Sequence, residues 1–150
     1  MSPAQQFQPA NPDFAAMVRE SFARQGLMGT LGARIATVEP GLCIVELDYA
    51  AGLSQQQGFF HGGAIGAIAD VAAGYAAYSL MPAGAEILTV EYKLNLMRAA
   101  LPPKLRAEGR VLRAGRTLTV CRADVFHTGR SGPEACALLQ STLMRVEPAA

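Results

Sequence analysis

The stretch Phe59–Met81, F-F-H-G-G-A-I-G-A-I-A-D-V-A-A-G-Y-A-A-Y-S-L-M, holds no Lys, Arg or Glu, and its one carboxylate is Asp70. No proline falls between Gly62 and Met81. The run therefore predicts one long helix, about 62–81, stopping before Pro82. At about 100° per residue, Ile65, Ile68, Val71, Ala72 and Tyr75 gather on one side, while Gly66, Ala69, Ala73 and Ala77 gather opposite, with Asp70 among them. A helix that is apolar or small all round is buried all round. Its bulky side calls for a sheet of its own chain, and its small side suits close approach by another backbone. The length would also permit a membrane span. An Asp near the centre costs at least about 2.5 kcal/mol there. The segment is rich in Ala and Gly rather than Leu, and no basic cluster flanks it, so a helix buried in protein is the better reading.

At 150 residues the chain is expected to be a single domain, 1–150, able to bury roughly 70% of its unfolded surface. A hydrophobic content of 51% points to oligomerisation covering part of the exterior. The first residues, M-S-P-A-Q-Q-F-Q-P, lack the basic region and apolar run of a secretory signal. Cys43, Cys121 and Cys136 are odd in number and show no C-x-x-C spacing. They read as small core residues in a reducing compartment, so the expected location is cytoplasmic. Net charge is only +1, yet the segment from Lys93 to Arg130 holds nine Lys/Arg against Glu108 and Asp124. That asymmetry suggests an anionic ligand, the alternative being solvated outer positions of strands.

Outward from the long helix, residues 1–10 are expected to be disordered. Asn11 as N-cap and Pro12 at the first helical position open an amphipathic helix, 12–25, carrying Phe14, Met17, Val18 and Phe22 and ended by Gly26. Residues 31–38 and 42–49 read as strands around a Pro40-Gly41 turn. Cys43, Val45, Leu47 and Tyr49 form the buried set of the second. After Pro82 the period changes to alternation, giving strands at 86–98, 104–113, 116–127 and 134–146. Ala114-Gly115 is a hairpin signal and 129–133 a loop. Consecutive strands without intervening helices favour an antiparallel sheet. The fold class is α+β, five or six strands wrapped around the 62–81 helix.

The chain resembles the hotdog-fold acyl-CoA thioesterases, particularly the phenylacetyl-CoA and 4-hydroxybenzoyl-CoA type. The resemblance rests on His61-Gly62-Gly63 opening the helix, Asp70 nine residues after that His, and the small apolar run that follows. Gln55, six residues before His61, matches a position where that family places an amide, and Thr89, on the first strand after the helix, matches a Ser/Thr position. The resemblance implies an active site shared across a dimer, with Asp70, Gly62, Gln55, Thr89 and His61 as its residues. It covers most of the chain from about residue 27, and the N-terminal helix lies outside it.

The chemistry also follows from the residues themselves. Hydrolysing a thioester needs donors for a developing oxyanion and a base or nucleophile near the carbonyl. A helix N-terminus offers unpaired N–H groups and partial positive charge, and Gly62-Gly63 allows close approach to them. Asp70 can act as general base on water or attack to form an anhydride. Gly62 and Asp70 are eight residues apart, about 12 Å along the axis, too far for one carbonyl to touch both. A two-fold dimer with antiparallel helices brings Asp70 of one chain to Gly62 of the other, the small face containing Gly66, Ala73 and Ala77 allowing that approach, so an obligate homodimer, or a pair of dimers, is expected.

Each of these residues has a plainer reading. A buried Asp can be a structural hydrogen-bonding group, His61 can simply bond to backbone at the helix start, and Gln55 and Thr89 can be ordinary surface residues. The phosphates of CoA would fall to the basic segment, with Arg113 and Arg116 at the hairpin as candidates. No cofactor is expected, since CoA belongs to the substrate. Two histidines and scattered cysteines are too few for a zinc site, and G-x-S-x-G, Walker A and G-x-G-x-x-G are absent. Nucleic-acid binding lacks an aromatic stacking pattern. The competing class is a non-catalytic hotdog module that binds acyl-CoA or a protein; a hydratase lacks a His/Asp pair at a suitable spacing. The acyl group is open, because Phe59, Phe60, Tyr75 and Tyr78 either line a pocket or fill the core.

Overall fold

The computed structural model describes residues 6–148. In chain order it contains α1 (Phe14–Ala23), α2 (Gly26–Leu31), β1 (Arg34–Glu39), β2 (Leu42–Asp48), α3 (Gly62–Tyr78), β3 (Glu86–Leu96), β4 (Lys104–Ala114), β5 (Leu118–Gly129) and β6 (Gly132–Val146). The six strands form one antiparallel sheet in the order β1-β2-β4-β5-β6-β3. α3 lies in its concavity against β2, β3, β4, β5 and β6. This is the α+β hotdog arrangement expected from the sequence. No helix among the described residues is long and apolar enough to cross a membrane.

The seat of α3 is set by Gly109. A Cβ at that position in β4 would lie 2.2 Å from the carbonyl carbon and oxygen of Ala72 and 2.5 Å from the nitrogen of Ala73. Only glycine lets the strand meet the helix backbone so closely. Leu105, Ala107 and Val111 alternate with polar residues on the same strand and complete that floor, as their spacing implies. Ile68, Leu139, Leu143 and the three free cysteines are buried with them. Burial pushes the Cys43 and Cys121 thiols up to about 12, which leaves them inert packing groups at neutral pH.

Several expectations need correction. α3 ends at Tyr78 rather than 81, because the Ser79 hydroxyl donates to the Ala76 carbonyl (2.7 Å) and accepts the Gly41 N–H (2.8 Å). Those two bonds take the chain out of the helix ahead of Pro82. The predicted 12–25 helix is shorter, with Asp13 as N-cap, since the Asn11 carboxamide instead accepts the Asp13 N–H. Gly26 does not end helical structure but opens α2, which Gly32 closes at φ +76. Residues 1–5 lie outside the described residues, whereas 6–10 are seated: Phe7 packs on Gly41 and the Ala10 N–H reaches the Leu80 carbonyl. Residues 129–133 are not a loop, since β5 and β6 run into a two-residue turn at Arg130-Ser131.

The small side of α3 is the largest correction. Gly66, Ala69, Ala73 and Ala77 are all covered by the chain itself. Gly66, for example, sits under Leu94 and Tyr92 of β3. The strip of α3 left partly open is Gly63, Ala67, Asp70, Val71 and Gly74. Beside it runs β3, an edge strand hydrogen-bonded only to β6. A register irregularity between Thr89 and Glu91 breaks its alternation, and Leu88, Val90 and Tyr92 are about half exposed.

Candidate active site

Asp70 sits on the open strip of α3, half-buried, and its Oδ1 accepts a 2.8 Å hydrogen bond from Thr89 Oγ1 on β3. The two residues are distant in sequence and meet because β3 packs across the helix. Burial raises the carboxyl above the ordinary aspartate range, and the Thr89 bond opposes the rise by favouring the ionised form. Both residues border a cavity of about 270 Å³ between α1, α3, β3 and β6.

Gly62 and Gln55 border a different cavity, of about 230 Å³, at the start of α3. His61 is the N-cap of the helix. Its Nδ1 accepts the Gly63 N–H at 2.8 Å, and its carbonyl accepts the Ala64 and Ile65 N–H groups. The plainer reading of this histidine, a helix-start residue bonded to backbone, is the one its geometry supports. Its cap also leaves one donor unused: the Gly62 N–H has no partner among the described residues. Gln55 orders the preceding loop, its carbonyl oxygen accepting the Gln57 and Phe59 N–H groups and its amide nitrogen donating to Gln57 Oε1.

Two pairs are thus brought together, Asp70 with Thr89 and Gly62 with Gln55, while the two pairs remain apart in one protomer. Arg113 and Arg116 border neither cavity. Arg116 lies near Leu80 and Met81, at the opposite end of α3 from Gly62. The basic segment is largely spent within the sheet. Glu46 takes Arg34, Lys104 and Arg106, Glu108 takes Arg106 and Arg110, Asp124 takes Arg122, and Glu134 takes Arg98. Arg113 and Arg116 are among the few basic side chains there with no carboxylate partner among the described residues.

The aromatic residues divide. Tyr78 fills the core, Phe59 and the buried Phe60 border the Gly62 cavity, and Tyr75 borders the Asp70 cavity. Sequence reasoning missed the part played by the end of α1 and its junction with α2, where Ser21, Arg24 and Gln25 wall the Asp70 cavity. The only available signal was the polar face of an amphipathic helix, which has no spacing specific to a site.

Residues 57–133, spanning the His61-Gly62-Gly63 start, Asp70 and Thr89, match the family model described as the thioesterase superfamily. A crystal structure of a thioesterase family protein from Silicibacter pomeroyi is 41% identical, with a TM-score of 0.88 over 90% of this chain and 99% of that one. The Escherichia coli PaaI protein, from the phenylacetic acid degradation operon, is 18% identical with a TM-score of 0.81 over 93% of this chain and 98% of its own, a likeness of fold. An esterase-named curated protein of Saccharolobus solfataricus is 31% identical over 94 residues, which is 63% of this chain and 66%, just under two thirds, of that relative. With the six-stranded sheet, the enclosed α3 and a match of this extent, the chain belongs to the thioesterase superfamily.

Proposed function

We propose that this protein hydrolyses the thioester of an acyl-CoA or aryl-acyl-CoA, giving the free acid and CoA, at a site built from two copies of the chain. The observation that carries the reading is the division of the site. A carboxylate oriented by Thr89 lies on the uncovered strip of α3, and an unused helix-start N–H lies in a separate cavity. A second copy packed antiparallel along that strip brings Asp70 of one chain to Gly62 of the other. The thioester oxygen then lies on the Gly62 N–H, where charge develops in the transition state. Asp70 takes a proton from water as the oxygen adds to the carbonyl carbon, and returns it to the departing sulfur. Attack by Asp70 itself, followed by hydrolysis of the anhydride, uses the same placement.

Gln55 holds the loop over the Gly62 cavity, and His61 positions the helix start. Arg113 and Arg116 of a neighbouring copy are the candidates for the CoA phosphates. The homodimer, or pair of dimers, uses the open strip of α3 and the edge of β3. A cytoplasmic location belongs to the same proposal, resting on three free thiols.

Free-thiol release across short, long and aromatic acyl-CoA esters is the test. Asp70→Asn should lower turnover about 100- to 10,000-fold with the oligomer intact. Turnover within threefold of wild type removes Asp70 from the chemistry. Mixing Asp70→Asn with Gly62→Val tests the shared site: half the dimers are mixed, each has one intact site of two, and about a quarter of wild-type activity should return. Verified mixed dimers that stay inactive refute the shared site.

A further inference from the structure

The cavity beside Asp70 has a polar end that hydrolysis does not use. Tyr75, buried on α3, receives a 3.0 Å hydrogen bond at its hydroxyl from Gln25 Nε2 and lies 3.0 Å from Ser21 Oγ, both on the α1 side. All three border the cavity that holds Asp70 and Thr89. The cluster has capacity to spare. With Gln25 donating to Tyr75, the Ser21–Tyr75 pair shares two hydroxyl protons over one contact, and Gln25 Oε1 has no partner among the described residues. One hydroxyl proton, the second Gln25 Nε2 hydrogen and the Gln25 Oε1 acceptor are left over, so the cluster can both donate to and accept from an alcohol or phenol hydroxyl.

The remaining wall excludes other ends. Glu86 and Arg24 both border the cavity and pair with each other, so an acyl group ending in a carboxylate finds no unpaired countercharge there. Arg24, paired with Glu86 at 3.9 Å across two exposed side chains, opposes a cationic end. The cavity is small, and Gly74 opens it along the helix: a Cβ there would only touch Leu143, at 3.9 Å, and would take space from a ligand. Asp70 and Tyr75 are five residues apart, about 7.5 Å along the axis, which matches a short acyl group.

Resting on the thioesterase reading of Asp70, we infer that Ser21, Gln25 and Tyr75 are specificity-determining residues. They select a short acyl group that carries a neutral hydroxyl at its far end, with Ser21 at the end of α1 and Gln25 at the start of α2 closing on Tyr75 of α3. A purely apolar acyl end would displace water from the cluster without replacing its hydrogen bonds.

The test compares 6-hydroxyhexanoyl-CoA with hexanoyl-CoA on the full chain, by free-thiol release and by calorimetric binding to Asp70→Asn. One neutral hydrogen bond is worth up to about tenfold, so kcat/KM and affinity should both favour the hydroxylated ester by about that factor. Tyr75→Phe and Gln25→Leu should each narrow the preference to threefold or less. Gln25 is the safer variant for folding, being only partly buried. Equal kcat/KM for the two esters in a protein that turns both over refutes the inference and leaves the thioesterase reading standing. Absence of thiol release refutes the thioesterase reading, and binding then decides the inference by itself: tighter binding of the hydroxylated ester sustains it, and equal affinity or no binding of either overturns it. A preference that survives both substitutions also overturns it.

Discussion

Gly109→Ala puts one methyl group where β4 meets the backbone of α3. The added Cβ would stand 2.2 Å from Ala72, against 3.4 Å for ordinary contact, a shortfall of about 1.2 Å. No side-chain rotation relieves it, because the obstacle is the peptide between Ala72 and Ala73. Either the helix lifts by about an ångström or the strand bows away. Inserting a methyl into a packed core costs about 1–3 kcal/mol, and a backbone obstacle belongs at the upper end. For a chain of this size about 3 kcal/mol lowers Tm by roughly 6–12 °C. The displaced segment carries Asp70 two residues away from the clash, so the 2.8 Å bond from Thr89 is strained too. A misplacement of about 1 Å can cost about 100-fold in rate. Thermal and urea unfolding at fixed protein concentration, with thiol release on the same preparation, read both effects. Gly52→Ala, where nothing lies within 4 Å, is the control. Stability within 1 kcal/mol of wild type and full turnover in Gly109→Ala would refute the close seating of α3 on β4.

Thr89→Val removes the hydrogen bond that favours ionised Asp70. Because the proposed hydrolysis uses the ionised form, the acid limb of the kcat/KM profile should move to higher pH; a limb that stays put or moves down refutes the role of Thr89. Neutralising Arg113 and Arg116 together should raise KM for CoA esters several-fold while sparing a short thioester without the nucleotide. Equal losses on both substrates, measured by thiol release, would assign these arginines to folding instead.

Periodicity was enough for the sheet because each strand from β2 to β6 is written in alternation and bounded by its own turn. Leu105, Ala107, Gly109 and Val111 stand two apart in the sequence and share the buried face of β4. It failed on the small side of α3, since Gly and Ala mark close approach without saying whose backbone approaches. Gly109 lies on the chain's own β4, 36 residues beyond Ala73. The pairing of Asp70 with Thr89 was legible as two candidate residues, but the bond itself depends on how β3 crosses the helix. His61 shows the reverse case, where a conspicuous residue turns out to serve the helix start. The wall at the end of α1 was hidden for a simpler reason: polar residues such as Ser21, Arg24 and Gln25 look alike whether they meet solvent or line a cavity.

The position of β3 at the sheet edge also bears on how the chain is made. Its one neighbour is β6, and Leu88 pairs with Met144. At about 5–20 residues per second, synthesis of the 56 residues from Thr89 to Met144 takes roughly 3–11 s. Through that interval a strand rich in Leu, Val and Tyr has neither edge occupied, which is the template that aggregation uses. A nascent chain halted before Gly132 would leave β3 with no sheet to join, so the last fifteen-residue strand does more than extend the sheet: it occupies the one edge of β3 that this chain covers.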